Sequence, residues 1–230
     1  MDMSVRNIVI GVILFILLVL LLRWFMGSAN KLTGLNDAKK VTKIDAGSLA
    51  QNNASNYAYS VWLYIDDWSY RYGEPKIVLG RLDGDLNPSP SIVLGAIENN
   101  LKIETTVYPS SQSSESSTHT CNVDNIPVQK WVNVIASLYG RSMDVYIDGK
   151  LVRTCVLPGV AKVANNAPLY VTPLGGFSGY TSNIKYFANP LNPQEAYNIY
   201  RQGYGGSIDF PYQVKIEYLK DGQEQGSFTI

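Results

Sequence analysis

The chain has 230 residues, a formal net charge of zero, 17% charged residues, one histidine and two cysteines. The balanced charge argues against nucleic acid as a partner, and the few histidines and cysteines exclude a zinc site of the usual kind. Tyrosine is abundant, with 16 residues against 6 phenylalanines, and it suits strands and half-exposed sheet faces.

The first predicted element is an apolar segment at residues 8–26, which has no charged side chain before Arg23. As a helix it would span about 28 Å, close to the roughly 30 Å hydrocarbon core of a bilayer. We therefore predict a short tail at 1–7, a transmembrane helix at 8–26 and a single-pass membrane protein. The alternative is a signal peptide that is cleaved near the small residues 27–29.

Residues 27–54 are polar and are predicted to form a juxtamembrane linker. The lysines that follow the apolar segment favour a cytoplasmic C-terminal part under the positive-inside rule. Asn53 begins an Asn-Ala-Ser sequon, which makes it a candidate glycosylation site and would argue for the opposite side.

Between residues 55 and 210, runs of strand-forming residues alternate with turn clusters that are rich in Gly, Pro and Asn. Many short strands at regular spacing are typical of an all-β sandwich. The predicted strands are 57–65, 76–82, 91–97, 101–108, 120–123, 131–139, the two arms of 143–155, and 167–172.

A single helix is predicted after these strands, at 192–200. Asn192 suits the N-cap, Glu195 completes a capping box, and Gly203 ends the helix. Residues 211–230 are predicted to form a C-terminal hairpin or tail.

The run at 143–155 predicts a β-hairpin whose two-residue turn is Asp148-Gly149, a pair that tolerates the left-handed conformation. We interpret Asp148 as a turn former rather than a ligand-binding group. The register expected from this turn gives one apolar face, and its pairs include Val145 with Val152 and Asp144 with Arg153.

Three segments appear in an order that resembles the laminin-G-like, concanavalin-A-like lectin/glucanase superfamily. They are YSVWLYIDDW, KWVNVIASLYGRSMDVYIDGKLV and FSGYTSNIKYFANPLNPQEAYNIYRQG. The resemblance covers roughly residues 55–203 and implies two antiparallel sheets packed as a jelly roll. It leaves the activity open, because one fold hosts enzymes, lectins and adhesion modules.

The layout of an N-terminal anchor before such a domain also resembles membrane-anchored virion proteins of large double-stranded DNA viruses. This resemblance implies a non-enzymatic minor capsid protein that links an internal virion membrane to a protein shell. Its partners would be a lipid bilayer and capsid proteins. The alternative function is a membrane-anchored, lectin-like protein that binds a glycan.

No pair of carboxylates at strand spacing indicates a glycosidase. Asp66 and Asp67 are adjacent and should point to opposite sides of a strand, while Glu98 and Glu104 stand apart. His119 lies at the edge of a serine-rich loop and is expected to be solvated. We therefore predict that the chain is not an enzyme.

Two further sets of residues each have two interpretations. Asp83, Asp85 and Asn87 place oxygen atoms at alternate positions, which suits calcium, but Leu94 stands where an EF-hand loop needs an acid. A polar turn is the alternative, and no other cofactor is expected. Cys121 and Cys155 lie in predicted strands, where they would form either one disulfide or two buried thiols.

Two environments suit the tryptophans, the core and a ligand-binding surface. Trp62, Trp68 and Trp131 are predicted to lie in the core, because large aromatic side chains are mostly buried. The alternative is that exposed Trp and Tyr side chains stack on sugars.

Overall fold

The computed structural model describes residues 11, 13–18, 30–85, 87–108, 115–205, 215–220 and 223–229. Two antiparallel sheets pack face to face in this part of the chain. The first has six strands in the order β1-β13-β3-β8-β9-β10. The second has seven strands in the order β11-β6-β5-β4-β12-β2, with β7 paired to β6. This arrangement confirms the predicted all-β jelly-roll sandwich.

The strand bounds are as follows. The first sheet contains β1 (Asn36–Asp37), β3 (Tyr57–Asp67), β8 (Trp131–Tyr139), β9 (Ser142–Ile147), β10 (Lys150–Val156) and β13 (Ser178–Phe187). The second contains β2 (Thr42–Ile44), β4 (Lys76–Leu82), β5 (Pro88–Leu94), β6 (Leu101–Tyr108), β7 (Ser117–Val123), β11 (Val160–Ala161) and β12 (Leu169–Val171). A separate hairpin pairs β14 (Lys215–Lys220) with β15 (Gln223–Thr229).

The predicted location, a single-pass protein of a virion membrane, is wrong. Among the residues described above, no helix is long and apolar enough to cross a bilayer. Residues 13–18 are helical, and most of the remaining predicted span at 8–26 lies outside the described residues.

The space between the sheets is filled by alternate side chains of the strands, because successive residues of a strand point to opposite faces. In β3 the residues at 57, 59, 61, 63 and 65 all belong to the buried core cluster. Ile92 and Leu94 of β5 meet them from the second sheet, as do Leu101 and Ile103 of β6. The residues between these positions form the outer faces of the sandwich.

The hairpin of β9 and β10 has the predicted turn, and both Asp148 and Gly149 adopt left-handed φ angles, of 50° and 73°. The register follows the prediction only as far as Leu151, which lies opposite Tyr146. A β-bulge at Val152 then shifts the strand, so that Arg153 lies opposite Val145 and the expected charge pair does not form. Val152 is consequently 47% exposed instead of sharing the apolar face.

The helix α1 (Pro193–Arg201) has the capping box that the sequence predicts. The Glu195 amide donates to the Asn192 side chain at 2.9 Å, and the Asn192 amide donates to the Glu195 carboxylate at 2.8 Å. Ala196 and Ile199 pack on the outer face of the first sheet, against Ile135 and Tyr146. The helix therefore covers one part of that face and leaves another part open.

Two short edge strands, β1 and β2, lie within the segment that the sequence assigns to a linker. Asn36 and Asp37 pair with β13, and residues 42–44 pair with β12. Their short and polar sequences carry little of the apolar alternation by which a strand is recognised.

Two core tyrosines should make the fold sensitive to alkali. Burial raises the pKa of Tyr57 to about 12 and that of Tyr59 further. Both hydroxyls are buried without a hydrogen-bond partner among the described residues. The unfolded chain therefore loses these protons near pH 10, whereas the folded chain keeps them. The contribution of these two tyrosines to the free energy of unfolding should be fully present below pH 10. Above pH 10 it should fall by roughly 1.4 kcal/mol per pH unit for each tyrosine.

Urea unfolding measured between pH 8 and pH 12 checks this expectation. Tyr57→Phe should reduce the loss of stability above pH 10. At neutral pH it should lower the free energy of unfolding only slightly, since it removes a hydroxyl that has no hydrogen-bond partner. Tyr139→Phe is the matched control, because Tyr139 is 69% exposed. Equal alkaline slopes for wild type and Tyr57→Phe would contradict the assignment.

Candidate ligand-binding site

A row of side chains crosses the open part of the outer face of the first sheet. Strand register brings its members together: Asp37 pairs with Tyr180, Tyr180 with Tyr64, and Tyr64 with Trp131. Directly paired residues of antiparallel strands project from the same face. These four residues, one each from β1, β13, β3 and β8, are called the aromatic row below.

The rings of the aromatic row are close to one another and accessible. The Tyr64 ring centroid lies 6.5 Å from that of Tyr180 and 5.7 Å from that of Trp131. Tyr204, which follows α1, stacks in parallel on Trp131 with a centroid separation of 4.6 Å. Tyr180 is 47% exposed and Tyr204 is 42% exposed. The surface therefore offers aromatic rings to a ligand at low conformational cost.

A β-bulge in β13 sets the position of Tyr180. The register of β13 against β3 shifts between Ser178 and Gly179. A Cβ atom on Gly179 would lie 1.8 Å from the carbonyl oxygen of Tyr64, so only glycine fits there. Bulges of this kind redirect the side chains that follow them.

A small cleft of about 200 Å³ adjoins the aromatic row at Tyr180. Two carboxyl groups, those of Asp37 and Asp66, line it together with Lys39 and Ser178. The Lys39 amide donates to Asp37 at 2.9 Å, which holds that side chain in place. The neighbouring Asp67 carboxylate instead accepts hydrogen bonds from the amide and hydroxyl of Ser69. The cleft therefore supplies acceptors and a cation beside exposed rings.

The three tryptophans predicted for the core occupy different environments. Trp62 is buried, but on the outer face, where its ring stacks on Tyr200 at 5.6 Å. Trp68 packs against the edge of the core, and its indole donates to the Ile97 carbonyl at 3.0 Å. Trp131 is half-buried in the aromatic row. The core prediction is thus wrong for Trp131, since its strand position points away from the second sheet.

The candidate calcium residues form a turn in which the Asp83 carboxylate is paired with the ammonium group of Lys162. The Asp83 carboxylate accepts hydrogen bonds from the amides of Asp85 and Asn87, at 3.0 and 2.8 Å. Its other oxygen lies 2.6 Å from the Lys162 ammonium. Burial opposes ionisation of Asp83, but Lys162 and the hydrogen bonds outweigh it and lower the pKa of Asp83 to about 2. Among the described residues, no group of three acidic, His or Cys side chains is arranged for a metal.

We expect Asp83→Ala to lower the free energy of unfolding by about 1.5–3 kcal/mol at neutral pH, the usual range for hydrogen bonds to a charged group. Asp85→Ala is the control, because Asp85 is exposed and should change little. Because the folded pKa of Asp83 lies below its ordinary value of 3.8, the contribution of Asp83 to stability should be lost between pH 4 and pH 2. Urea unfolding of both variants across this range provides the measurement, and millimolar calcium should not shift the midpoint of the wild type.

The remaining predicted site residues belong neither to the aromatic row nor to the lining of the adjoining cleft. Cys121 of β7 and Cys155 of β10 are joined in a disulfide, with their Cα atoms 6.0 Å apart. Asn53 is exposed in a turn, and its glycosylation stays a prediction. His119 lies in β7 opposite Thr105 rather than in a loop. The Asp148 carboxylate accepts from the Asn133 amide at 2.9 Å, as a turn-stabilising group does.

The two packed sheets form a jelly-roll β-sandwich of the lectin type. The chain belongs to the concanavalin A-like lectin/glucanases superfamily, whose Laminin_G_3 family model matches residues 37–196. A search of curated proteins finds no significant match.

Solved structures similar to the chain include several binding domains of botulinum neurotoxins. The binding domain of botulinum neurotoxin DC in complex with rat synaptotagmin II is 14% identical, with a TM-score of 0.54 over 77% of this chain and 45% of that one. The receptor binding domain of botulinum neurotoxin D is 13% identical, with a TM-score of 0.52 over 70% and 43%. The chain thus spans less than half the length of these domains, and the likeness is one of fold.

Proposed function

We propose that the chain is a non-enzymatic binding module that holds a carbohydrate on the aromatic row. The observation that carries this proposal is the register of β1, β13, β3 and β8, which lines up Asp37, Tyr180, Tyr64 and Trp131 on one open face. Sugar rings have apolar C–H faces bordered by hydroxyl groups. A surface that combines exposed rings with nearby carboxylates matches both parts of such a ligand.

The aromatic row supplies the apolar part of the contact. Tyrosine and tryptophan bring a large, rigid contact area and a polar group that can stay hydrated. Because Tyr64 and Trp131 are held by their neighbours in the sheet, little rotamer freedom is lost when a ligand binds. The exposed rings of Tyr180 and Tyr204 lie at the two ends of this surface and would make the outer contacts.

The adjoining cleft supplies the polar part. Carboxylates accept hydrogen bonds from hydroxyl groups, and such charge-assisted bonds are stronger than neutral ones. Asp66 and Asp37 would accept from sugar hydroxyls, while Lys39 would donate to a hydroxyl or to an acidic sugar. Lys39 also lies 4.8 Å from the ring centroid of Tyr70, which helps to fix its position.

Two structures of the same fold favour a binding role without deciding the ligand. One neurotoxin DC binding domain is solved in complex with rat synaptotagmin II, and another in complex with SialylT. The second match is 14% identical, with a TM-score of 0.51 over 72% of this chain and 42% of that one.

The disulfide between Cys121 and Cys155 is consistent with a function in an oxidising compartment, where such bonds persist.

A glycan array probed with the purified full-length chain tests the proposal. We expect reproducible, saturable binding to a restricted set of glycans, and loss of that binding in a Tyr180→Ala/Tyr204→Ala double variant. Circular dichroism and thermal unfolding should show that the double variant remains folded, because both side chains are exposed. An array on which the folded wild type binds no glycan would overturn the proposal.

A second candidate function, protein binding, is favoured by the edge strand β10. This strand closes one side of the first sheet, and it exposes Leu151, Val152 and Val156. An exposed edge with apolar side chains is suited to pairing with an extended segment of another protein. Introducing proline at Val152 should abolish such pairing, and crosslinking of the wild-type chain to its neighbours would identify the partner.

A further inference from the structure

The outer face of the second sheet carries a groove on the opposite side of the sandwich from the aromatic row. It has a volume of about 370 Å³. Its walls are mostly apolar, and its lining residues are Ile77, Leu82, Pro88, Ser91, Glu104, Tyr170, Pro173 and Leu174. This volume lies within the range of roughly 300–1,000 Å³ that is usual for small-molecule sites.

Glu104 is the charged residue in this lining. It lies on β6 opposite Ser91 of β5, and it is half-buried. Among the described residues, no hydrogen bond or ion pair satisfies its carboxylate. Burial raises the pKa of Glu104, and the positive charge of Lys102, two residues away on the same strand, opposes that rise without forming an ion pair. The groove therefore holds a carboxylate that has no direct partner in the described part of the chain.

The rim of the groove is formed by a strained loop. Thr172 and Leu174 both have left-handed φ angles, of 47° and 55°, although neither is glycine. Such conformations cost of order 1–3 kcal/mol each and persist only where the surrounding structure enforces them. Here the Thr172 amide donates to the Val78 carbonyl at 2.9 Å, and its hydroxyl donates to the Lys40 carbonyl at 2.8 Å. The result is that Leu174 stands 78% exposed at the groove.

We propose that this groove binds a small organic cation, an ammonium group on an apolar stem, whose charge pairs with Glu104. The stem would lie against Ile77, Tyr170 and Leu174, and the aromatic ring of Tyr170 adds an attraction for the cation. A carboxylate in an apolar wall is costly unless it is paired, so an ammonium group gains more here than in water.

Other ligand classes fit the groove less well. A sugar would leave most of its hydroxyl groups unpaired against the apolar walls. An anion would be repelled by Glu104. Calcium needs six to eight oxygen ligands, whereas this lining offers one carboxylate and the hydroxyls of Ser91 and Tyr170.

Titration calorimetry of the full-length chain with hexylammonium chloride tests the proposal, with 1-hexanol as the neutral ligand of similar shape. We expect hexylammonium to bind at least about tenfold more tightly than hexanol, since only the ammonium group can form a charge-assisted hydrogen bond with Glu104. Glu104→Gln should remove this preference. Glu98→Gln, a change of the same kind at an exposed residue outside the groove, should leave it intact.

Each outcome decides the proposal. Loss of the preference in Glu104→Gln alone, with unchanged thermal unfolding of both variants, supports it. Equal affinity of the wild type for amine and alcohol overturns it, as does an absence of binding at millimolar ligand. An effect of Glu98→Gln equal to that of Glu104→Gln also overturns it, because it would place the contact elsewhere. The result is independent of carbohydrate binding, which uses the other sheet.

Discussion

Val145→Asp is expected to unfold the sandwich. Val145 is fully buried in the core between the sheets, and its neighbours there are apolar. An aspartate at this position would bring an unpaired charge into the core, or would have to be protonated to remain there. We expect a loss of more than about 4 kcal/mol, which is large against the typical total stability of roughly 5–15 kcal/mol.

Val152→Asp provides a matched control seven residues further along the same hairpin. The bulge in β10 turns Val152 outward, so that the same substitution should cost less than about 1 kcal/mol. Urea unfolding followed by circular dichroism measures both variants. If the two substitutions were equally harmful, Val152 would face the core and the bulge would be misplaced.

Reduction of the disulfide is the second large expected effect. Cys121 lies on β7, at the edge of the second sheet, and Cys155 lies on β10, at the edge of the first. The bond therefore links the two sheets along one side of the sandwich. Its sequence separation of 34 residues gives a loss of about 4 kcal/mol in the chain-entropy model.

Denaturation with and without a reducing agent measures this contribution. The wild type should lose stability on reduction, and a Cys121→Ala/Cys155→Ala variant should start at the lower stability and be insensitive to the reducing agent. Mass spectrometry verifies that the bond is broken. An unchanged unfolding midpoint after complete reduction would show that the bond does not stabilise the sandwich.

The strands of the sandwich are largely predictable from sequence because apolar alternation is a local signal. The strand β8 and the helix cap at Asn192 follow from neighbouring residues alone. The bulge at Val152 does not, since the hairpin turn fixes only the first two pairs. The edge strand β1 could not be predicted either, because its two polar residues are ordered by their pairing with β13.

The functional surfaces depend on contacts between distant parts of the chain. Asp83, Asp85 and Asn87 have a spacing that suits calcium, but the sequence does not reveal that Lys162 pairs with Asp83. Tyr64 and Trp131 lie in predicted strands, whereas the strand β13 that carries Tyr180 is not among the strands predicted from the sequence. Only the register of four strands shows that Tyr64, Tyr180 and Trp131 share one face.

The prediction of a membrane location rests on the apolar run at 8–26 and on the resemblance to membrane-anchored virion proteins. The apolar run at 8–26 has the length of a membrane span, but the described residues contain no helix that could cross a bilayer. The conclusions about function rest on the fold of the β-sandwich and on its two outer faces.

The central claim is that the aromatic row is the carbohydrate-binding surface. Calorimetric titration of an array-selected glycan into wild type, Tyr180→Ala and Tyr139→Ala tests it most directly. Tyr139 is also an exposed tyrosine, but it lies at the far end of β8 from Trp131. We predict that Tyr180→Ala weakens binding at least about tenfold, because it removes one of the exposed rings that contact the ligand, and that Tyr139→Ala binds like the wild type. Equal affinities for all three proteins would contradict the account.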